Sequence, residues 1–376
     1  MSGYGLLAFS LLGFVLIMHL IFVNALIGAV VLAVIMRFLA YRRGDPSLEY
    51  LARNSFMIAV VSDLFGGVWG TVLTVTLAGL FPSMTAIFMR VDFYPVAIAL
   101  AGILVSIPLI IMYWHLWYRV SPRTHALMGI PLLVSVLLVP IGFRYLFAEL
   151  DYPMGLNGQV NPVAVFSNPL YPPLILHTLL GATDIGVFMV AAVLSTRRNL
   201  NINAVKYALG IGVMLLIPQA IAGAYYYVTL GRYDPYIVSA ISGPLLGYKP
   251  STVLFYPAFY AAIALTVALA VVATYAFYLT MQGRVNRALN IGAGVIAELV
   301  LVLMEYVNDG SRYPYMFPGI PVDRLLNTLI PIPITGIVVA IASVLVFTAI
   351  FSIYIYEAVL RRLLPEEETH LTMQGH

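Results

Sequence analysis

Met1–Met36, MSGYGLLAFSLLGFVLIMHLIFVNALIGAVVLAVIM, contains a single histidine and no Asp, Glu, Lys or Arg. As a helix rising about 1.5 Å per residue, this run exceeds the roughly 30 Å thickness of a bilayer core. The remainder repeats the pattern: 62% of the 376 residues are hydrophobic, 9% are charged, and the mean hydropathy is +0.97. A soluble domain carries about 25% charged residues because its surface faces water, so a soluble enzyme is excluded. The runs are apolar throughout and do not alternate, which selects helices over barrel strands. There is no cysteine, which excludes disulfides, zinc fingers, iron–sulfur ligation and covalent c-type haem.

Eight further apolar runs follow, at about residues 54–81, 93–118, 126–143, 170–194, 204–230, 250–283, 288–306 and 325–356. The chain is therefore expected to be all-α, a multi-pass membrane protein with about nine transmembrane helices. Nine crossings place the termini on opposite faces. Of the 19 lysines and arginines, thirteen fall after odd-numbered spans or in the C-terminal tail, five fall on the other face, and Arg144 ends span four. The positive-inside rule then sets the N-terminus outside and the C-terminus in the cytoplasm, in the cell (cytoplasmic) membrane. No basic residue precedes the first apolar run, so a cleaved signal peptide is not expected. Residues 1–364 read as one transmembrane domain and 365–376 as a polar cytoplasmic tail. The longest connection, 149–169, lies outside. No inverted repeat of short, broken helices is visible, which counts against a transporter.

An ionisable group at mid-membrane costs at least about 2.5–3.5 kcal/mol, so each needs a reason. The candidates are His19, Asp63, His177, Asp184, Glu298 and Glu305. His177 and Asp184 are seven apart, as are Glu298 and Glu305, so each pair shares a helix face about 10 Å apart along the axis. His177 and Glu298 are expected in the outer half and His19 nearer the middle. Such groups can bind a metal, haem or ions, or carry protons; satisfaction by a neighbouring hydroxyl or carbonyl is the plain alternative, and the stronger one for Asp63 beside Ser62 and Asp184 beside Thr183. His115 in Trp114-His115-Leu116-Trp117 reads as an interfacial anchor, His125 as a loop residue, and His370 and His376 as tail residues. Gly66-x-x-x-Gly70 is the spacing of a close helix contact. Tyr225, Tyr226 and Tyr227 read as an interface belt.

At these residues the chain resembles subunit I of the cytochrome bd quinol oxidases. Met18-His19-Leu20-Ile21-Phe22-Val23 with Gly28 is similar to the family's first helix, whose histidine ligates the active-site haem. Arg119 and His125 share the spacing of an Arg and a His after the third helix. Pro153-Met154-Gly155 resembles the end of an outer Gln-Asn-Pro-x-Gly motif. Asn168-Pro169 followed by His177-Thr178 resembles the approach to the histidine of the low-spin haem b. Glu298, Glu305-Tyr306 and Arg312-Tyr313-Pro314-Tyr315 resemble span eight and the Gly-Arg-Gln-Pro-Trp motif, where the first Glu ligates the high-spin haem b. The similarity touches nearly the whole chain, in order.

The resemblance implies up to three haems, of type b with one of them b or d. His19, His177 and Glu298 would be iron ligands, Glu305 a catalytic residue beside His19 and Glu298, and Arg312 a partner of a haem propionate or of Glu305. It implies passage of electrons from quinol to oxygen in a respiratory chain, beside a second membrane subunit (subunit II-like) or another redox subunit, and no nucleic acid. There are departures. The long quinol-binding loop between spans six and seven is replaced by about residues 231–251. The axial Met of span seven is missing from Phe259-Tyr260-Ala261-Ala262. The two proton-pathway glutamates of span three fall at Ala99 and Ile107. These departures keep two alternatives open: a bd-like cytochrome relaying electrons without reducing oxygen, and a haem-free transporter or scaffold.

Overall fold

The computed structural model describes residues 3–156, 160–243, 255–327 and 333–357. Eleven α-helices occur among them, nine of which are long and apolar enough to cross a membrane. In chain order they are α1 (Gly3–Arg43), α2 (Pro46–Leu80), α3 (Pro82–Val91), α4 (Phe93–His115), α5 (Pro122–Asp151), α6 (Tyr171–Ser195), α7 (Ile202–Tyr233), α8 (Pro235–Ser242), α9 (Tyr256–Met281), α10 (Arg287–Gly310) and α11 (Ile334–Ile355). The short α3 and α8 are the two that do not span. The expected nine-span, all-α architecture is present, together with a small antiparallel pair, β1 (Tyr315–Phe317) and β2 (Ile320–Pro321), that the apolar pattern could not signal.

Local sequence explains the hairpins. Gly44 takes a positive φ of 65° to end α1, and the Asp45 side chain then accepts from Ser47 N–H at 2.8 Å, with Pro46 opening α2. A left-handed glycine, an N-cap and a first-turn proline make a tight reversal. Ser121, Asn201 and Asn286 cap α5, α7 and α10 in the same manner, on the same face as Asp45. Helix ends run past several expected limits. The first helix continues to Arg43. Helix α5 continues to Asp151, so Arg144 and Glu149 sit within it and not at a loop edge. Part of the connection after span six is helical, as α8; residues 244–254 and the tail 365–376 lie outside the described residues.

The centre of the bundle is a backbone-to-backbone approach. A Cβ placed on Gly28 of α1 would lie 2.6 Å from Gly186 Cα, and one on Gly186 would lie 2.6 Å from Gly28 Cα. Small residues let helices close on each other where lipid offers no hydrophobic drive. Helix α10 closes on α6 at Gly294, whose added Cβ would lie 2.9 Å from the Ala192 Cβ. Helix α11 is the outlier: only Ile341, Thr348 and Ile355 of it are buried, and Trp69 Nε1 of α2 donates to Thr348 Oγ1 at 3.1 Å. Gly28→Val is expected to cost at least about 1–3 kcal/mol through overpacking. It should lower the thermal midpoint of the detergent-solubilised protein, and a midpoint equal to wild type would remove the crossing from the account.

Candidate functional site

His19 and His177 are built alike. On α1, His19 Nδ1 lies 3.0 Å from the Gly66 carbonyl of α2, an oxygen that can only accept, so Nδ1 carries the proton. Four residues on, a Cβ at Gly70 would sit 3.1 Å from His19 Cε1. The Gly66/Gly70 spacing thus seats an imidazole as well as bringing two helices together. On α6, His177 Nδ1 lies 3.1 Å from the Gln219 amide of α7, and a Cβ at Gly223 would lie 3.1 Å from His177 Cε1. Again the pair is i, i+4 on the neighbouring helix. Nε2 of neither histidine meets a hydrogen-bond partner among the described residues.

Helices α1 and α6 are spans one and five and run the same way. His19 is nine residues before Gly28, and His177 nine before Gly186, so both lie about 13 Å from the glycine crossing toward the N-terminal face. His19, expected nearer the middle, is level with His177. Helix α10 runs oppositely, and Gly294 meets α6 near Phe188 and Ala192. Counting from that contact, Glu298 sits at about the level of Gly186, deeper than expected, while Glu305 and Asp309 flank the level of His177.

Glu298, Glu305 and Asp309 share one face of α10, and each holds buried oxygen without a partner among the described residues: both oxygens of Glu298, Oε2 of Glu305 and Oδ2 of Asp309. Arg144 Nη2 reaches Glu305 Oε1 at 3.4 Å. Arg312 does not pair with Glu305, as had been one expectation. Its guanidinium grips Asp151, Nε to Oδ1 at 2.8 Å and Nη2 to Oδ2 at 3.0 Å, and donates to the Asn308 carbonyl at 2.7 Å. The fork geometry explains the choice, since α5 ends with Asp151 beside the turn that follows α10. Burial pulls against the charge of Arg312, but the Asp151 and Asp309 carboxylates and the Tyr226 phenol outweigh it and hold that charge more firmly than usual. Tyr226 lies over His177 with ring centroids 6.2 Å apart and bonds Asp151 at 3.3 Å, while Tyr227 bonds Ser242. Only Tyr225, 52% exposed, fits the belt reading.

Two acids outside the spans complete this end. Burial, then Asp151, pushes the Asp234 carboxyl up to about 6. Asp92 is fully buried, and burial followed by Glu149 pushes it up to about 8. Glu149 accepts from Gly155 N–H at 2.9 Å and from Asn168 Nδ2 at 3.0 Å, which gives Asn168 of the quoted motif a structural task.

The remaining candidates separate. Asp184 is buried, but Thr183 spends its hydroxyl on the Leu179 carbonyl, leaving Asp184 Oδ1 without a partner among the described residues. Asp63 is half-buried on α2. His115 is exposed and meets Arg119, as an anchor does. His125 is not in a loop. It lies buried in the first turn of α5, between the rings of Tyr113 and Trp117, accepting from Arg37 Nε at 3.1 Å. Arg37 also pairs with Glu49, which takes the Trp117 Nε1 hydrogen. His370 and His376 lie outside the described residues. Among the described residues no three His, Asp or Glu gather into a metal cage, so His19, His177 and Glu298 do not share one three-ligand centre. Sequence reading missed Gln219, Gly223, Asp151 and Asp309; Gly223 lies 46 residues from its histidine, with no local motif to mark it.

A bundle of nine long apolar helices that buries single imidazoles and carboxylates among them is that of an integral membrane protein. The sequence matches the family model described as cytochrome bd terminal oxidase subunit I over residues 7–247, and the chain belongs to that family. No curated protein matches it. Among solved structures it is similar to the bd oxidase from Geobacillus thermodenitrificans, at 17% identity and a TM-score of 0.80, covering 96% of this chain and 98% of that one.

Two outcomes follow. Arg312→Met leaves Asp151 buried without its counter-charge, with only the Tyr226 hydroxyl to bond it, which is expected to cost about 3–5 kcal/mol in chemical-denaturant stability; an unchanged midpoint contradicts the pairing. Asp92 binds its proton more tightly folded than unfolded, so its contribution to stability is fully present at low pH and is lost as pH rises from about 4 toward about 8. Asp92→Asn should therefore flatten the decline in melting temperature across that window.

Proposed function

We propose that this chain is the haem-bearing subunit of a quinol oxidase-like complex, with its N-terminus outside and His19, His177 and Glu298 as iron ligands. The observation that carries the reading is the matched pair of histidines, each with Nδ1 held by a neighbouring helix and Nε2 left with a lone pair or proton and no partner among the described residues. A neutral imidazole ligates iron through one nitrogen while a neighbouring acceptor takes the hydrogen of the other and fixes the ring. Glu298 fits as the carboxylate because both of its buried oxygens lack a partner among the described residues, whereas Glu305 and Asp309 each face an arginine. The donor set of nitrogen and carboxylate, one per site, suits porphyrin iron better than a protein-only metal cage.

When bound, haem supplies one-electron transfer and, at an open coordination position, oxygen chemistry. The protein's own part is to orient the rings, exclude water and hold charge. Gly70 and Gly223 leave room for the imidazoles, Arg144 and Arg312 place positive charge at the end of the bundle where His19 and His177 lie, and Glu305 stands by as a proton-holding group beside Arg144. Quinol is the proposed electron donor. A second membrane subunit or another redox subunit is proposed against the faces of α9 and α11, which bury few of their residues within this chain.

The relay without oxygen reduction has one observation of its own. Where proton-pathway glutamates were expected in span three, Ala99 is fully buried and Ile107 is 46% exposed, so α4 offers no carboxylate for proton uptake. Oxygen uptake by the purified complex with a quinol donor separates the two: sustained, cyanide-tolerant uptake supports the oxidase, and haem reduction without uptake supports the relay. His19→Ala and Glu298→Ala should each remove a high-spin component from the reduced-minus-oxidised spectrum. A wild-type spectrum in Glu298→Ala together with a loss in Asp309→Ala would move the ligand to Asp309. A colourless wild-type protein would return the haem-free transporter or scaffold.

A further inference from the structure

The amide of Gln219 is placed with Nε2 3.1 Å from His177 Nδ1, while its Oε1 is buried with no hydrogen-bond partner among the described residues. The two ends of an amide have the same shape, and only the surrounding bonds decide which is oxygen. With nitrogen toward the ring, Nδ1 must accept, which puts the imidazole proton on Nε2. That donor would then face a side where the described residues offer it no acceptor. With oxygen toward the ring, Nδ1–H donates to Oε1 and Nε2 presents a lone pair. This second arrangement is the one His19 is compelled to take, because the Gly66 carbonyl can only accept.

The neighbourhood is shaped around the contact. A Cβ at Gly181, one turn along α6 from His177, would lie 2.7 Å from the Gln219 side-chain nitrogen position, and one at Gly223 would lie 3.3 Å from Nδ1. Glycine at both positions leaves the amide and the ring as each other's close company. We infer that Gln219 is the positioning residue of His177: its side-chain oxygen accepts the Nδ1 proton, fixing the tautomer and turning the Nε2 lone pair toward haem iron. The inference rests on the haem reading above and names the residue that makes His177 competent within it.

The test uses the full chain in its complex, following the haem signal that His177→Ala abolishes, by redox titration of the optical spectrum. Gln219→Glu, as a carboxylate, only accepts at this position, so it should keep that haem and lower its midpoint potential, since the added negative charge favours oxidised iron. Gln219→Leu offers no acceptor and should weaken haem retention on the order of ten- to a hundredfold. If Gln219→Glu loses the haem as fully as Gln219→Leu, the amide nitrogen is the group that faces the ring, and the inference fails. It fails equally if both variants keep the wild-type potential and haem content. A wild-type complex with no His177-dependent signal overturns the haem reading itself, a result distinct from the other two.

Discussion

Hydrocarbon supplies no hydrogen bonds, and every polar group in this chain is arranged under that condition. Backbone groups are closed inside nine long helices. Hydroxyls within helices turn back on carbonyls one turn earlier, as Thr183 does on Leu179 and Ser55 on Leu51. Charges are paired, as Arg312 with Asp151 and Arg37 with Glu49. Against that discipline the unpaired oxygens of Glu298, Asp184 and Asp309 stand out, and they lie on helices α6 and α10 at the heart of the bundle.

The same condition explains how helices approach. With no gain from excluding water between spans, the tightest meetings occur where side chains are missing, at Gly28 against Gly186 and at Gly294 against Ala192. These meetings set the relative heights of α1, α6 and α10. The level placement of His19 and His177 follows from them, as does the nearness of Arg144 and Glu305 to His177. Glycine here acts twice: at the crossings it admits backbone, and at Gly70 and Gly223 it admits a ring.

The span count was legible because a run such as Met1–Met36 has only one physical reading. The hairpin ends were not placed from their capping residues at Gly44-Asp45-Pro46 and Ser121-Pro122, and the expected span limits fell short of them. The helical course of α3 and α8 was not legible, because eight or ten residues beside a membrane carry no decisive period. The ionisable residues were found by their cost in lipid, a property each shows alone. Their partners were hidden: Asp151 sits at a helix end where an acid is unremarkable, and Gln219 is neutral. His125 was misplaced for the same reason, since a histidine three residues past Pro122 looks like loop until Tyr113 and Trp117 are seen to close over it. Pairing is a property of the folded bundle, and one helix read alone does not contain it.

Two long-range ion pairs at the N-terminal face carry a consequence for biogenesis. Arg144 and Glu305 are 161 residues apart, and so are Asp151 and Arg312. Both links join α5 to α10 or to the turn just after it, so neither can close until the eighth span has left the ribosome. Through the synthesis of three intervening spans, α5 stands at the membrane with an arginine and an aspartate that have not met their counterparts. The arrival of α10 is then the event that locks this end of the bundle, and the nascent chain must be sheltered until it comes.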